Sequence, residues 1–386
     1  MIRKYHWKTA AAPSSYEHIH GCGPGHRICG RITAVLLAAA VFLAGCGGSA
    51  AASGGTGATG EEAAVQTTTI PDAQQLARIV IDSSETVTSA EMDSTVRLHM
   101  AIKAGEEEQG FGGEMKSSIR TILEPLTIHM VSVSDLTAEE TAPADGTGEE
   151  EAPAGGTNGG EAPTGGTDGD ESPLNMETYG EMTENGRFAT YSKTGGTDSW
   201  SKTVVAVPES SSDIFNIELL QSIVSGETEA SVSPATDFVD GKECYVLNTF
   251  LSGELAQSSL ETASAILSEI GLSLQDLPED LLKDTKVKTV IWVDLETGLP
   301  AKIEQDMAEL GNTLFNELFK SLLSSYESSG ESSTGAAQEM PAFAFHFSEY
   351  SSEIIFRSFN TVPEIIIPKE ARDAEEISLT PGTGAP

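Results

Sequence analysis

The alternation of apolar and polar side chains predicts a chain built mostly of β-strands. In residues 92–102, Met92 and Val96 fall on one side of the chain, and Asp93 and Arg97 fall on the other. A period of two is typical of a strand with one buried face and one face in water. By the same criterion, further strands are expected at residues 115–123, 126–134, 175–183, 188–194, 200–207, 243–251, 285–295, 301–307, 342–350 and 354–359.

Other segments repeat their apolar residues every three or four positions, which predicts helices with one apolar face. The first is expected to begin at Pro71, because proline is favoured in the first helical turn, and Gly226 is placed to end the second. The predicted helices are residues 71–80, 211–225, 254–270, 278–283 and 310–326. Hairpins interrupted by such helices predict a β-rich α+β fold, in which an antiparallel sheet packs helices on one face.

Some stretches have no hydrophobic pattern. Residues 139–173 repeat a ten-residue unit marked by proline and contain ten acidic residues without a Lys or Arg. We expect a disordered insert there, because so few apolar groups cannot offset the entropy lost on ordering. A flexible Gly/Ala/Ser tether is predicted at 46–70, a Ser-rich break at 327–339 and a disordered tail at 377–386, which leaves a single domain at 71–376.

The N-terminal region has the features of a secretory leader. Residues 32–44 are 13 uncharged residues that follow Arg27 and Arg31. As a helix they would span about 20 Å, less than the roughly 30 Å of a bilayer core, so they are typical of a signal peptide. The length of the stretch before them favours a start codon downstream of Met1. Leu43-Ala44-Gly45-Cys46 resembles the lipobox of bacterial lipoproteins, which implies removal of residues 1–45 and a lipid on Cys46.

Charge narrows the range of partners. The chain has 22 Lys and Arg against 59 Asp and Glu, a formal net charge of −37. This charge repels nucleic-acid phosphates and anionic lipid headgroups, so we predict no nucleic-acid partner. Membrane attachment is therefore expected through the lipid on Cys46, at the extracytoplasmic face of the cell membrane. The sequence names no protein partner.

Candidate catalytic and metal-binding residues are few. After the leader the chain has three histidines, His99, His129 and His346, and the sequence contains no Gly-x-Ser-x-Gly or His-Glu-x-x-His motif. The histidines and cysteines of residues 1–30 fit no standard zinc spacing and precede the cleaved signal. We predict no enzymatic activity, no cofactor and no metal site. Cys244, within an apolar strand pattern, is expected to be a small buried residue.

Several short motifs follow one another in a fixed order between residues 176 and 371. They are Met176-Glu177-Thr178-Tyr179, Tyr191-Ser192-Lys193-Thr194, Trp200-Ser201-Lys202, Val239-Asp240-Gly241-Lys242-Glu243-Cys244-Tyr245-Val246-Leu247, Ile291-Trp292-Val293-Asp294, Thr297-Gly298-Leu299-Pro300-Ala301-Lys302-Ile303 and Ile367-Pro368-Lys369-Glu370-Ala371. In this order they resemble a family of uncharacterised Gram-positive lipoproteins and, more distantly, the LolA/LppX-type lipoprotein carriers. The resemblance implies a strongly curved antiparallel sheet, a half-barrel, with helices on its concave face around an apolar cavity.

The leading functional hypothesis is a non-enzymatic envelope lipoprotein that binds a hydrophobic or lipid-like ligand between sheet and helices. Trp200 and Trp292 are the candidate residues for the cavity wall, with an ordinary core position as the alternative. A second hypothesis is a surface scaffold or interaction lipoprotein with a solid core. A third is a transporter-associated solute-binding lipoprotein, although such proteins favour alternating strands and helices in two lobes.

Overall fold

The computed structural model describes residues 70–104, 107–139, 174–195, 197, 199–206, 214–253, 255, 278, 280–328 and 343–376. Its strands are β1 (Ser89–Ala104), β2 (Glu107–Leu123), β3 (Leu126–Glu139), β4 (Leu174–Met182), β5 (Arg187–Thr194), β6 (Ser201–Ala206), β7 (Ala230–Val232), β8 (Asp237–Val239), β9 (Lys242–Ser252), β10 (Lys286–Asp294), β11 (Pro300–Asp306) and β12 (Phe343–Phe359). Its helices are α1 (Ala73–Ser84), α2 (Ile217–Ser225), α3 (Ala308–Ser328) and α4 (Lys369–Arg372).

The described strands form one antiparallel sheet. Its order is β6-β5-β4-β3-β2-β1-β12-β11-β10-β9-β7, and β8 also pairs with β9. Strands β6 to β1 form one half of this order, and strands β12 to β7 form the other half. The halves are joined by β1 and β12, which pair from Ala90 opposite Phe359 to Ala104 opposite Phe343. The sheet is not closed, as in a half-barrel. The predicted β-rich α+β class is confirmed.

We call the face of the sheet that contacts α1, α2 and α3 the inner face, and the opposite face the outer face. Two apolar clusters cover part of the inner face. In the α3 cluster, Val96 and Met115 pack with Leu314 of α3, and in the α1–α2 cluster, Met92 of β1 packs with Leu76 of α1. Removing a side chain of this kind from a packed core typically costs about 2–5 kcal/mol. These two clusters therefore hold the helices on the sheet.

Helices α1 and α2 begin later in the chain than predicted. Pro71 lies before α1, and Asp72 is the N-cap because its carboxylate accepts a hydrogen bond of 2.8 Å from the Gln75 backbone N–H. Helix α2 begins at Ile217, since Asn216 has the left-handed backbone conformation that separates the helix from the preceding residues. Gly226 ends α2 with φ 81°, as predicted.

Some predicted elements change. The two strands predicted at 342–350 and 354–359 are one strand, β12. The polar residues 351–353 interrupt the apolar pattern in the sequence, because the buried Ser352 occupies an inner position, but they pair with β1 without a register shift. Residues 280–284 form turns rather than part of a helix at 278–283. Strands β7 and β8 were not predicted, since three residues are too few to show a period of two.

Several predicted segments lie outside the described residues. These are the leader at 1–45, the tether at 46–69, the acidic repeat after Glu139 and the tail at 377–386. The predicted helix at 254–270 also lies outside them, apart from Leu255. Helix α3 extends to Ser328, two residues into the predicted Ser-rich break, and the rest of that break is not described.

Helix α3 takes the place of a strand along one edge of β12. Strand β11 pairs with β12 only at residues 351–355. Further along β12, the Asn316 side chain accepts from the Phe345 N–H at 2.9 Å and donates to the Phe345 carbonyl at 2.8 Å. Asn312 makes the same pair of hydrogen bonds with Phe347, at 2.8 and 3.2 Å. The two amides thus satisfy backbone groups that would otherwise lack partners.

One cluster on the outer face contains Cys244. The Cys244 side chain is fully buried among Val246, Trp292 and Ala301, so the predicted buried position is confirmed. Burial and the nearby Asp294 carboxylate raise the pKa of the Cys244 thiol to about 11.

Replacing Asn316 by alanine should lower the free energy of unfolding by about 1–3 kcal/mol, because the Phe345 N–H and carbonyl lose their partners. Urea denaturation followed by circular dichroism measures this change. The control is Thr313→Ala on the same helix, where we expect a change of at most about 0.5 kcal/mol. Equal effects of the two substitutions would contradict the strand-replacing role of Asn316.

Cys244 should be inert to thiol reagents while the protein is folded. In a chain that starts at residue 46 with Cys46→Ser, Cys244 is the one cysteine left. With a pKa of about 11, only about one thiol in a thousand is ionised at pH 8, and its sulfur is buried. DTNB absorbance should therefore rise only after addition of guanidinium chloride. The control, Ser118→Cys with Cys244→Ser, places a thiol on an exposed position and should react without denaturant.

Candidate functional site on the inner face of the sheet

The inner face of strands β1–β5 is uncharged. Because side chains alternate between faces, the register assigns every second residue of these strands to the inner face. Within 90–102, 111–123, 126–136, 174–182 and 188–194, none of these positions carries Asp, Glu, Lys, Arg or His. In a chain with 59 acidic residues, this separation of charge marks the inner face as a surface for apolar or neutral groups.

Methionine is concentrated on this face. Six of the nine methionines in the chain occupy inner positions of four neighbouring strands. They are Met92, Met100, Met115, Met130, Met176 and Met182. An unbranched, polarisable side chain with three rotatable bonds adapts its shape to what it contacts, so this surface can accommodate flexible apolar groups.

The inner face divides into a packed part and a part outside the packed clusters. Over β1 and β2, Met92, Met100 and Met115 belong to clusters that include helix residues. Over β3–β5, six apolar side chains join none of the four apolar clusters among the described residues. They are Leu126, Ile128, Met130, Met176, Met182 and Phe188. This apolar surface lies directly beside the packed core, in the same sheet.

Hydroxyl groups lie among the apolar residues. The Oγ atoms of Ser117 and Ser132 are 2.8 Å apart, and Thr178 Oγ1 lies 3.2 Å from Ser192 Oγ. Three other buried inner-face hydroxyls have no hydrogen-bond partner among the described residues, and these belong to Thr121, Ser134 and Ser352. Native proteins leave few buried polar groups unpaired, so these three need an explanation.

Trp292 lies on the outer face. Its neighbours Ile291 and Val293 belong to the α1–α2 cluster, and the indole points the other way. The indole Nε1 donates to Asp237 at 3.0 Å, and this hydrogen bond, with one from the Phe238 N–H, holds the pKa of Asp237 below its usual value. The ammonium of Lys302 lies 4.5 Å from the ring centroid, a cation–π distance.

Trp200 also lies on the outer face. Its ring centroid is 5.7 Å from that of Tyr179, and both rings belong to a cluster with Ile367 and Ala371 from the C-terminal segment. The two tryptophans therefore face away from the helices, and the wall of any cavity between sheet and helices has to come from other residues. The strand alternation could have indicated this for Trp292, but its apolar neighbours on both sides hid the signal. Cys46 lies outside the described residues.

A separate cleft of about 360 Å³ lies on the outer face. It is lined by residues of β1, β2 and β12. Its lining includes His99, His346, Glu108 and Glu349, and the His99 Nε2 atom is 3.7 Å from a Glu349 oxygen. Ser348 donates to the backbone carbonyl of His99 rather than to an imidazole, unlike a nucleophile paired with its base. Among the described residues, no group of three or more His, Cys, Asp or Glu side chains is arranged to hold a metal ion.

No helix in the described part of the chain is long and apolar enough to span a membrane. Its one long helix, α3, has polar residues such as Asn312, Asn316 and Glu317 along its length.

Comparison with known proteins gives only distant structural similarities. No protein-family model matches the chain, and no curated protein sequence matches it. The solved lipoprotein LppX of Mycobacterium tuberculosis is similar with a TM-score of 0.30 and 10% identity, over 76% of this chain and 98% of that one. LprF of Mycobacterium bovis gives a TM-score of 0.35 and 11% identity, over 78% and 97%.

A third similar structure is a putative outer membrane lipoprotein-sorting protein domain from Vibrio parahaemolyticus. Its TM-score is 0.22 with 11% identity, over 76% of this chain and 95% of that one. At such identities and TM-scores the likeness carries no argument about function. Membership of the Gram-positive lipoprotein family named above stays a prediction.

Proposed function

We propose that this protein is a non-enzymatic lipoprotein, anchored to the extracytoplasmic face of the cell membrane, that binds a hydrophobic or lipid-like ligand on the inner face of its sheet. The observation that carries the proposal is the apolar surface of β3–β5. It is uncharged, contains three methionines and lies outside the packed clusters of the described residues.

The chemistry of the inner face suits an acyl chain. Each buried methylene of a ligand contributes about 0.8 kcal/mol, and an uncharged wall adds no cost for removing charges from water. Met130 is buried, whereas Met176 and Met182 are half-buried, so the surface includes adaptable side chains with some solvent exposure. A flexible chain of variable length can be accommodated by such residues without a single fixed shape.

The anchoring part of the proposal rests on the sequence. A lipid on Cys46 would attach the protein to the membrane, since a diacylglyceryl group supplies the two acyl chains that stable anchoring requires. The excess of acidic residues over Lys and Arg keeps the folded part away from anionic headgroups. The tether at 46–70 would then separate the ligand-binding domain from the bilayer.

Two rival functions make different use of the same sheet. A scaffold with a solid core would fill the surface of β3–β5 with the protein's own side chains, for example from the predicted helix at 254–270. A transporter-type solute-binding protein is not favoured, because the described strands form one antiparallel sheet rather than two lobes of alternating strands and helices.

Mass spectrometry of an organic extract tests the proposal. The chain from residue 46 onward, with Cys46→Ser to remove the anchor, should be produced in a bacterial host and should carry about one lipid per molecule. Met130→Lys should lose this lipid, because it places a charge on the inner face. Val131→Lys is the matched control, since the neighbouring side chain is 42% exposed on the outer face.

Circular dichroism establishes that each variant is folded. If Met130→Lys does not fold, Met176→Lys, at a half-buried inner-face position, replaces it. A folded wild-type protein that yields no lipid and binds none added to it would contradict ligand binding and support the solid-core scaffold.

A further inference from the structure

Five buried serines occupy neighbouring positions on the inner face, and we call this set the serine arc. The register places Ser94 of β1 opposite Ser117 of β2, and Ser117 opposite Ser132 of β3. Ser352 of β12 lies opposite Val96 of β1, and Ser134 of β3 lies opposite Met115 of β2. The two ends of the arc are therefore in the row of side chains next to the one that contains Ser94, Ser117 and Ser132. The arc members are Ser352, Ser94, Ser117, Ser132 and Ser134.

The arc is deeply buried and wide. Each of its serines is less than a tenth exposed, from 2% at Ser132 to 8% at Ser134. It crosses four neighbouring strands, β12, β1, β2 and β3. Three strand spacings correspond to about 14 Å, which is enough to face a group with several oxygen atoms.

The arc separates the two apolar clusters. Val96 and Met115, on one side of it, belong to the α3 cluster. Met92 and Phe356, on the other side, belong to the α1–α2 cluster. A row of hydroxyls between two apolar clusters suits a ligand that has a polar group between apolar parts.

The hydrogen bonds of the arc are incomplete. Ser117 and Ser132 bond each other at 2.8 Å. The Oγ atoms of Ser134 and Ser352, at its two ends, are buried and have no partner among the described residues. A buried hydroxyl without a partner costs about 1–3 kcal/mol, whereas alanine at the same position would cost nothing of this kind. A bound acceptor or donor would remove that cost.

The absence of charge around the arc limits the chemistry of the ligand group that can bind there. No Lys, Arg or His lies at the inner-face positions of 90–102, 111–123 and 126–136 that surround the arc. A carboxylate or phosphate buried there would find no counter-ion at these strand positions, and an unpaired buried charge is strongly unfavourable. Ester carbonyls and hydroxyls are neutral and accept hydrogen bonds from serine.

We infer that the serine arc is a polar subsite that binds the ester or hydroxyl oxygens of an uncharged lipid. This inference rests on the proposed function and adds the class of ligand to it. The arc favours neutral lipids that carry oxygen over pure hydrocarbons, which offer no acceptor, and over fatty-acid anions, whose charge has no partner on this face.

The test compares binding of 1,2-dioleoylglycerol and of squalene to the chain from residue 46 onward with Cys46→Ser. Co-elution of each radiolabelled lipid with the protein on gel filtration measures affinity. In the double variant Ser134→Ala/Ser352→Ala, the affinity for dioleoylglycerol should fall about tenfold, as expected for two lost hydrogen bonds. Squalene binding should change less than about twofold, because squalene has no oxygen.

Two controls separate recognition from structure. Ser118→Ala, on the exposed outer position next to Ser117, should leave both affinities unchanged. Ser134→Thr/Ser352→Thr keeps the hydroxyls and should retain dioleoylglycerol binding. The melting temperature of the double alanine variant should not fall, since the hydroxyls it removes have no partners among the described residues.

The possible failures are distinguishable. Unchanged dioleoylglycerol affinity in the double alanine variant, or equal losses for both lipids with a lower melting temperature, would overturn the subsite. Radiolabelled oleate is measured in the same way, and tighter binding of oleate than of dioleoylglycerol would overturn the preference for neutral lipids. Both results leave hydrophobic-ligand binding intact, whereas failure of the wild-type protein to bind either lipid would overturn the proposed function as well.

Discussion

The pairing of β1 with β12 is the interaction on which the rest of the structure depends. It joins strands from opposite ends of the chain, from Ala90 opposite Phe359 to Ala104 opposite Phe343. Because register fixes which side chains share a face, this pairing sets one inner face across both halves of the sheet. Without it, Ser352 of β12 and Ser94 of β1 would belong to separate sheets, and the serine arc would end at β1.

The helices cover some parts of the inner face and not others. Helices α1 and α2 cover one end of the inner face, and α3 covers another while its Asn312 and Asn316 side chains bond the backbone of β12. A protein that needed only a stable core would also cover the apolar surface of β3–β5 with helices. That this surface remains outside the clusters of the described residues, and is uncharged, is the physical basis for assigning ligand binding to it.

Charge is sorted between the two faces. On the outer face, Lys302 lies 2.9 Å from Glu353 and Arg357 contacts Asp93 at 2.7 Å, so both cations have carboxylate partners. The Arg357–Asp93 pair is exposed, and pairs of this kind add little stability. The inner face of β1–β5 thus stays uncharged although the chain as a whole is strongly acidic.

The sequence by itself determined the strand pattern, the antiparallel β-rich class and the buried position of Cys244, because local alternation and turn residues report directly on which side chains are buried. Its alternation failed for β12, where the buried Ser352 interrupts the row of apolar side chains, and its reading of Trp200 and Trp292 as wall residues did not anticipate their outer-face positions. Only the tertiary structure decided which strands are neighbours. Ser94, Ser117 and Ser132 are ordinary in sequence, and they become one polar group because three strands align them, a non-local fact that no local pattern encodes.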